Sequence, residues 1–258
     1  MVKLALRNVT WRYRSHLRMR RSWFTSGCAV LLLASALAAC GGSDEPEQSG
    51  GTASASPDPR SPEQALLEQM VLTADDLPAG MQRLNAAFNT NEEAAQGAQD
   101  PSAELSRLQA WGRQLGYRVT FLPGPDAPPG LVLGVESEVN LYDAAQGSGF
   151  SFTDDVTAAR SANVAAGYPQ LKEVQVSELD PGSIGAERYW LRVSGFPEDD
   201  PTSLFVSDQL VFRVQRVKAF LRMDGQFQGD SDRAVYQEQV KRWAQLMSER
   251  IQQALAQG

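Results

Sequence analysis

A chain of 258 residues with 24 Lys and Arg against 31 Asp and Glu has room for one sizeable domain, and its acidic balance argues against a nucleic-acid partner. Its two cysteines, Cys28 and Cys40, and its single histidine, His16, all fall within the first 40 residues. The remainder therefore cannot build a disulfide, a Ser-His-Asp or Cys-His catalytic centre, or a zinc site on Cys or His.

Lys3, Arg7, Arg12, Arg14, Arg18, Arg20 and Arg21 are the charged residues of positions 1–39, which leaves 17 Lys and Arg facing 31 Asp and Glu in residues 40–258, a net charge of −14. A basic leader thus precedes an acidic remainder. The apolar run from Cys28 to Ala39 is 12 residues long, and a helix of that length reaches roughly 18 Å against a hydrocarbon core of ~30 Å. It fits the apolar centre of an export signal and is too short for a membrane span. The run closes on Leu37-Ala38-Ala39-Cys40, which resembles the lipobox of bacterial lipoprotein signals. The resemblance implies cleavage before Cys40, lipid on its thiol, and anchoring at the extracytoplasmic face of the cell membrane, or in the outer membrane of a host with two. Acyl chains contribute about 0.8 kcal/mol per buried CH₂, so two or three of them hold firmly. Met19, followed at once by Arg20-Arg21, makes a more typical start than Met1, and Phe24 stands one position too far on for a twin-arginine signal.

From Gly41 to Arg60 no large apolar side chain occurs, so this stretch reads as a disordered tether with an end-to-end distance of roughly 25 Å for about 20 residues. The expected organisation is a signal over 1–39, a tether over 40–60 and one domain over 61–258. Ser61-Pro62-Glu63-Gln64 opens a helix with a capping box, and Leu66, Leu67, Met70 and Val71 continue it at helical spacing to about Thr73. Asp75-Asp76-Leu77-Pro78-Ala79-Gly80 is a turn by composition. A second helix is expected from Pro101 to Leu115, with Leu105, Leu108, Trp111 and Leu115 on one face, ended by Gly116. Strands are expected at Tyr117 to Leu122 and Leu131 to Tyr142; Asp143 to Ala166 is Ala-rich and reads as partly helical, with Gly147 and Gly149 weakening its start and the firmest helix from about Asp154 to Ala165. Further strands follow at Lys172 to Leu179 and Ala186 to Ser194, then a hairpin of Leu204 to Arg213 and Val217 to Met223 turning near Gln215. Tyr236, Val240, Trp243, Met247, Ile251 and Ala254 mark a long amphipathic C-terminal helix capped by Asp230 or Ser231. The sum is an α+β fold with an antiparallel or mixed sheet of about five strands covered by helices on one face.

The Leu77-Pro78-Ala79-Gly80 turn, the Val139-Asn140-Leu141-Tyr142-Asp143 strand end before an Ala-rich helix, and Leu210-Val211-Phe212-Arg213 before a final helix resemble a broad group of exported bacterial lipoproteins. Similar domains serve as extracellular sensors of receptor kinases or form Mog1/PsbP-like α/β/α sandwiches. The resemblance implies a binding or sensory module, names no functional residue and implies no cofactor.

Nucleotide-binding glycine loops are missing from the sequence, so the carboxylates are what remains for chemistry. Glu92-Glu93, Asp154-Asp155 and Asp199-Asp200 stand at turns or helix starts, where acids favour solvent and the helix dipole over catalysis. Asp224, Asp230 and Asp232 flank glycines but miss the calcium-loop spacing. A basic and aromatic strand face is the candidate binding surface. With Tyr189, Leu191 and Val193 inward, Arg188, Trp190 and Arg192 point outward; with Val217, Ala219, Leu221 and Met223 inward, Lys218, Phe220 and Arg222 point outward beside Arg213. Such a face suits an anionic or glycan-like ligand. The function expected is a membrane-anchored ligand- or partner-binding module, its partners being the membrane through Cys40 and a ligand or envelope protein. A structural accessory of the envelope and a carboxylate-dependent hydrolase are the alternatives.

Overall fold

A computed structural model describes residues 60–127 and 131–257. The signal, Cys40 and residues 40–59 of the tether lie outside the described residues.

The first helix, α1 (Pro62–Met70), begins as its capping box dictates: Ser61 Oγ accepts from the Gln64 N–H at 3.2 Å, and Gln64 Oε1 accepts from the Ser61 N–H at 3.1 Å. A short turn at Ala74–Asp76 leads to β1 (Met81–Asn89), then α2 (Asn91–Ala95) and α3 (Pro101–Ala110). There follow β2 (Arg113–Pro123), β3 (Val132–Tyr142), α4 (Ala145–Ser161), β4 (Leu171–Leu179), β5 (Glu187–Pro197), β6 (Leu204–Val214), β7 (Val217–Phe227) and α5 (Asp230–Gln257).

Seven strands, not five, form one antiparallel sheet in the order β1-β2-β3-β7-β6-β5-β4. Strand β1 escapes a periodicity search because it is the sheet's edge, exposed on both faces through most of its length, so its sequence never alternates. Helix α3 stops at Ala110 and not at Leu115. Gly112 adopts φ +67° and reverses the chain, so Leu115 enters β2 instead. Helix α4 starts nine residues before the expected Asp154, and Gly147 explains why: a Cβ there would lie 1.8 Å from the Trp111 carbonyl oxygen, so glycine lets the first turn seat on that carbonyl.

Helices cover both faces of the sheet, which corrects the one-sided expectation. On one face α1 and α5 bury the main core, where Leu67, Met70, Tyr236, Trp243 and Met247 meet Val135, Val139, Leu210, Phe212, Leu221 and Met223. Each such side chain contributes about 1.5–3 kcal/mol on burial. Arg250 clasps the two helices together, donating to the Val71 carbonyl at 2.9 Å and to both Asp76 oxygens at 2.6 and 2.8 Å, while Trp243 Nε1 donates to the Asp76 carbonyl. On the opposite face α4 packs Phe152 against Tyr189, Leu191, Val211 and Phe220.

Candidate functional site

The seven residues expected on one basic face are divided between two. Trp190 and Arg192 point under α5 into the main core, 0% and 1% exposed. Arg192 makes a bidentate pair with Asp208 at 2.8 Å through both Nε and Nη2, Trp190 Nε1 donates to the same carboxylate at 2.7 Å, and Arg192 Nη1 reaches Gln237 on α5. Burial raises the Asp208 pKa, with Arg192 and Trp190 opposing it. Tyr189 and Leu191, expected in the core, do face apolar neighbours, but those of α4. Parity misled here because β5 is buried on both sides, so polar and apolar residues alternate without marking solvent. Arg188 is exposed at the start of β5, and Arg213 pairs with Glu187 across the β5–β6 register.

Lys218, Phe220 and Arg222 lie on the α4 face, and their cross-strand neighbours reveal a polar lattice. In register, Gly116, Asn140 and Lys218 form one row, Arg118, Glu138 and Phe220 the next, and Thr120, Glu136 and Arg222 the third. Lys218 Nζ donates to Ser151 Oγ at 2.7 Å and to Asp155 at 2.5 Å, both on α4. Arg222 closes on Asp224, whose Oδ1 also accepts from Ser207 at 2.6 Å. Arg113, buried at the base of β2, is held without a carboxylate in its hydrogen-bond shell: it donates to Asn140 Oδ1, Asn91 Oδ1 and the Asn89 carbonyl. Gly116 makes this possible, since a Cβ there would stand 2.4 Å from Arg113 Nη2.

From Arg113 the contacts run outward. Asn140 Nδ2 donates to Glu138 Oε1 at 3.0 Å, and Glu138 Oε2 accepts from Arg118 Nε at 2.7 Å, with Glu136 3.5 Å from that same nitrogen. Burial alone would raise the Glu138 pKa, but the Arg118 charge and the hydrogen bonds from Asn140 and Arg118 outweigh it and bring the value to about 2. The Glu138 charge in turn raises the pKa of Arg118. Arg118 ends the series with its side chain 43% exposed, and among the described residues its Nη1 and Nη2 make no hydrogen bond. Beside it on β1 stands Ala87, small and exposed.

The chemistry open to this face is limited. The Lys218–Ser151 contact has the composition of a Ser-Lys dyad, but such a base must be neutral. Burial pulls the Lys218 pKa down and Asp155 more than restores it, so the amine stays charged and donates to Ser151. Glu138 stays ionised at neutral pH and cannot act as a general acid. The other carboxylates are engaged elsewhere: Glu93 caps α2, Asp154 pairs with Arg107, and Asp200 accepts from Thr202 and Ser203. Asp224 is turned into the sheet rather than toward Asp232, and no group of three His, Cys, Asp or Glu among the described residues could hold a metal ion.

An open groove of about 300 Å³ lies between the end of α4 and the edge strand β4, lined by Arg160, Val164, Val176, Glu178, Tyr189 and Leu191. Arg160 binds both Glu178 oxygens there, and the Tyr189 hydroxyl donates to Glu178. Sequence reasoning missed Arg113, Arg118, Glu136, Glu138 and Asn140. The usable signal was the every-second-residue run of polar groups at 136, 138 and 140, opposite the apolar parity of the same strand.

No family model matches the chain, and no curated protein matches it. Among solved structures it is weakly similar to the extracellular domain of PknH from Mycobacterium tuberculosis, with a TM-score of 0.42 and 10% identity, over 72% of this chain and 97% of that one. No described helix is long and apolar enough to cross a membrane.

Proposed function

We propose that the chain is a lipid-anchored lipoprotein of the extracytoplasmic face of the cell membrane, and that its domain is a ligand-binding module with Arg118 at the contact site. One observation carries the binding reading: a part-buried series of hydrogen bonds from Asn89 and Asn91 through Arg113, Asn140 and Glu138 ends in a guanidinium whose Nη1 and Nη2 make no hydrogen bond among the described residues. Isolated buried charges are costly, and buried ion pairs seldom add stability over apolar packing. Side chains that fix the orientation of a half-exposed neighbour are the usual support of a recognition group. Anchoring rests on the likeness of Leu37-Ala38-Ala39-Cys40 to a lipobox and on the polar tether that follows.

Mass spectrometry of the chain purified from its own membranes tests both halves. Acyl chains on Cys40 are expected, and an unmodified N-terminus elsewhere would contradict the anchor. Under native conditions the wild type should retain a bound species that the Arg118→Met variant has lost. Both chains at the mass of their own lipidated sequence, with nothing bound to either, would remove the ligand-binding reading and leave a structural accessory of the envelope.

A further inference from the structure

We infer that the ligand group received by Arg118 is a singly charged oxyanion, a carboxylate or a phosphodiester, held end-on by Nη1 and Nη2; this rests on the binding-module reading above. The geometry supplies the reason. A guanidinium has five N–H donors, and when Nε is taken by a carboxylate, the Nη1 and Nη2 end still offers the two parallel donors that match a pair of oxyanion oxygens. In Arg118 the Nε is taken by Glu138 at 2.7 Å, Nη1 and Nη2 make no hydrogen bond among the described residues, and the side chain is 43% exposed. Two hydrogen-bonded neighbours restrain the head before any ligand arrives: Glu138 holds Arg118, and Asn140 holds Glu138. Little ordering is then left for binding to accomplish.

Charge count sets the size of the negative charge. Two carboxylates stand beside the Arg118 Nε on the same face, Glu138 at 2.7 Å and Glu136 at 3.5 Å. A polyanion would meet two nearby carboxylates and a domain of strongly negative net charge. A single oxyanion can approach the guanidinium from the solvent side while both carboxylates stay behind it. The groove beside β4 offers no such group, since its Arg160 is already bidentate to Glu178.

The full chain, labelled with [15N]arginine and held in detergent micelles, gives one Nε–Hε resonance per ordered arginine, and that of Arg118 is identified by its loss in Arg118→Met. Titration uses D-glucuronate as the carboxylate probe and dimethyl phosphate as the phosphodiester probe. A saturable shift of the Arg118 resonance with at least one probe is expected. Glucuronate alone would place the group on an acidic saccharide or peptide, and dimethyl phosphate alone on a lipid headgroup or phosphodiester polymer. Arg118→Lys, which has no such resonance, is compared with the wild type by isothermal titration calorimetry with the same probe and should bind roughly tenfold more weakly, because an ammonium lacks the parallel donors. Arg160→Met should leave the shift unchanged and reports that the fold tolerates loss of a surface arginine. No Arg118 shift with either probe, or equal calorimetric affinity in Arg118→Lys, would overturn the inference. If native mass spectrometry still finds a bound species lacking any oxyanion, the module reading survives and the ligand class alone fails.

Discussion

The two faces of the sheet use the same strands and opposite residues, and they are built for different ends. Under α1 and α5, Val135, Val139, Leu141, Leu210, Phe212, Ala219, Leu221 and Met223 form a closed apolar layer, interrupted chiefly by Arg192 and Asp208. On the opposite face β2, β3 and β7 present Arg118, Glu136, Glu138, Asn140, Lys218 and Arg222 beside the smaller apolar cluster that α4 covers. The first arrangement removes apolar area from water and ties α1 to α5. The second keeps charges buried in fixed positions and leaves one of them open at its end. The difference teaches that side-chain parity alone can place an apolar layer and a lattice of charges on opposite faces of the same sheet.

The sharpest way to break that division is within the apolar face. Asp208→Ala strands the buried Arg192 without its bidentate partner, and a loss of about 3–5 kcal/mol in unfolding free energy is expected from chemical denaturation. Met247→Ala removes a side chain with 0% exposure from the same layer and should cost about 2–5 kcal/mol, read the same way. If either change costs less than Arg118→Met, the apolar face is not the stabilising one.

Acid sharpens the comparison from the other face. Glu138 has its pKa depressed from 4.5 to about 2 in the folded chain, so it contributes stability that is fully present above about 4.5 and is lost as pH falls toward 2. That loss should reach at most about 3 kcal/mol at roughly 1.36 kcal/mol per pKa unit. Asp76, lowered by Arg250 and Thr73 against burial, adds to it in the same direction. Asp208, raised by burial, has the opposite sign and favours the folded state as pH falls. Comparing wild type with Glu138→Gln between pH 5 and 2.5 should remove part of the acid sensitivity, and identical profiles would contradict the assigned role of Glu138.

Legibility in the sequence followed the same division. The buried positions of α5, namely Tyr236, Val240, Trp243, Met247, Ile251 and Ala254, were readable because one side of that helix meets water and the other does not. The β6–β7 hairpin was readable too, and Gln215 takes the positive φ of 50° that its turn needs. Strands buried on both faces defeat the same logic. Trp190 and Arg192 look outward by alternation with Tyr189 and Leu191, yet they lie in the core because Asp208 neutralises the guanidinium there. Arg113 was hidden for another reason: helical spacing runs on through Leu108 and Trp111, and only the turn at Gly112 shows that Arg113 begins a strand. The Arg118 to Glu138 contact depends on the register of β2 with β3, which no local pattern specifies.

The central claim, that the Arg118–Glu138 pair serves recognition and adds little net stability, is tested most directly by the double variant Arg118→Met/Glu138→Gln, in which the new side-chain amide retains an oxygen for Asn140 to donate to. Its unfolding free energy and its calorimetric affinity for the glucuronate and dimethyl phosphate probes are measured together. The account predicts stability at pH 7 within about 1 kcal/mol of wild type, because the lost ion pair roughly offsets its own desolvation, and complete loss of probe binding. A loss of several kcal/mol with probe binding retained would contradict it.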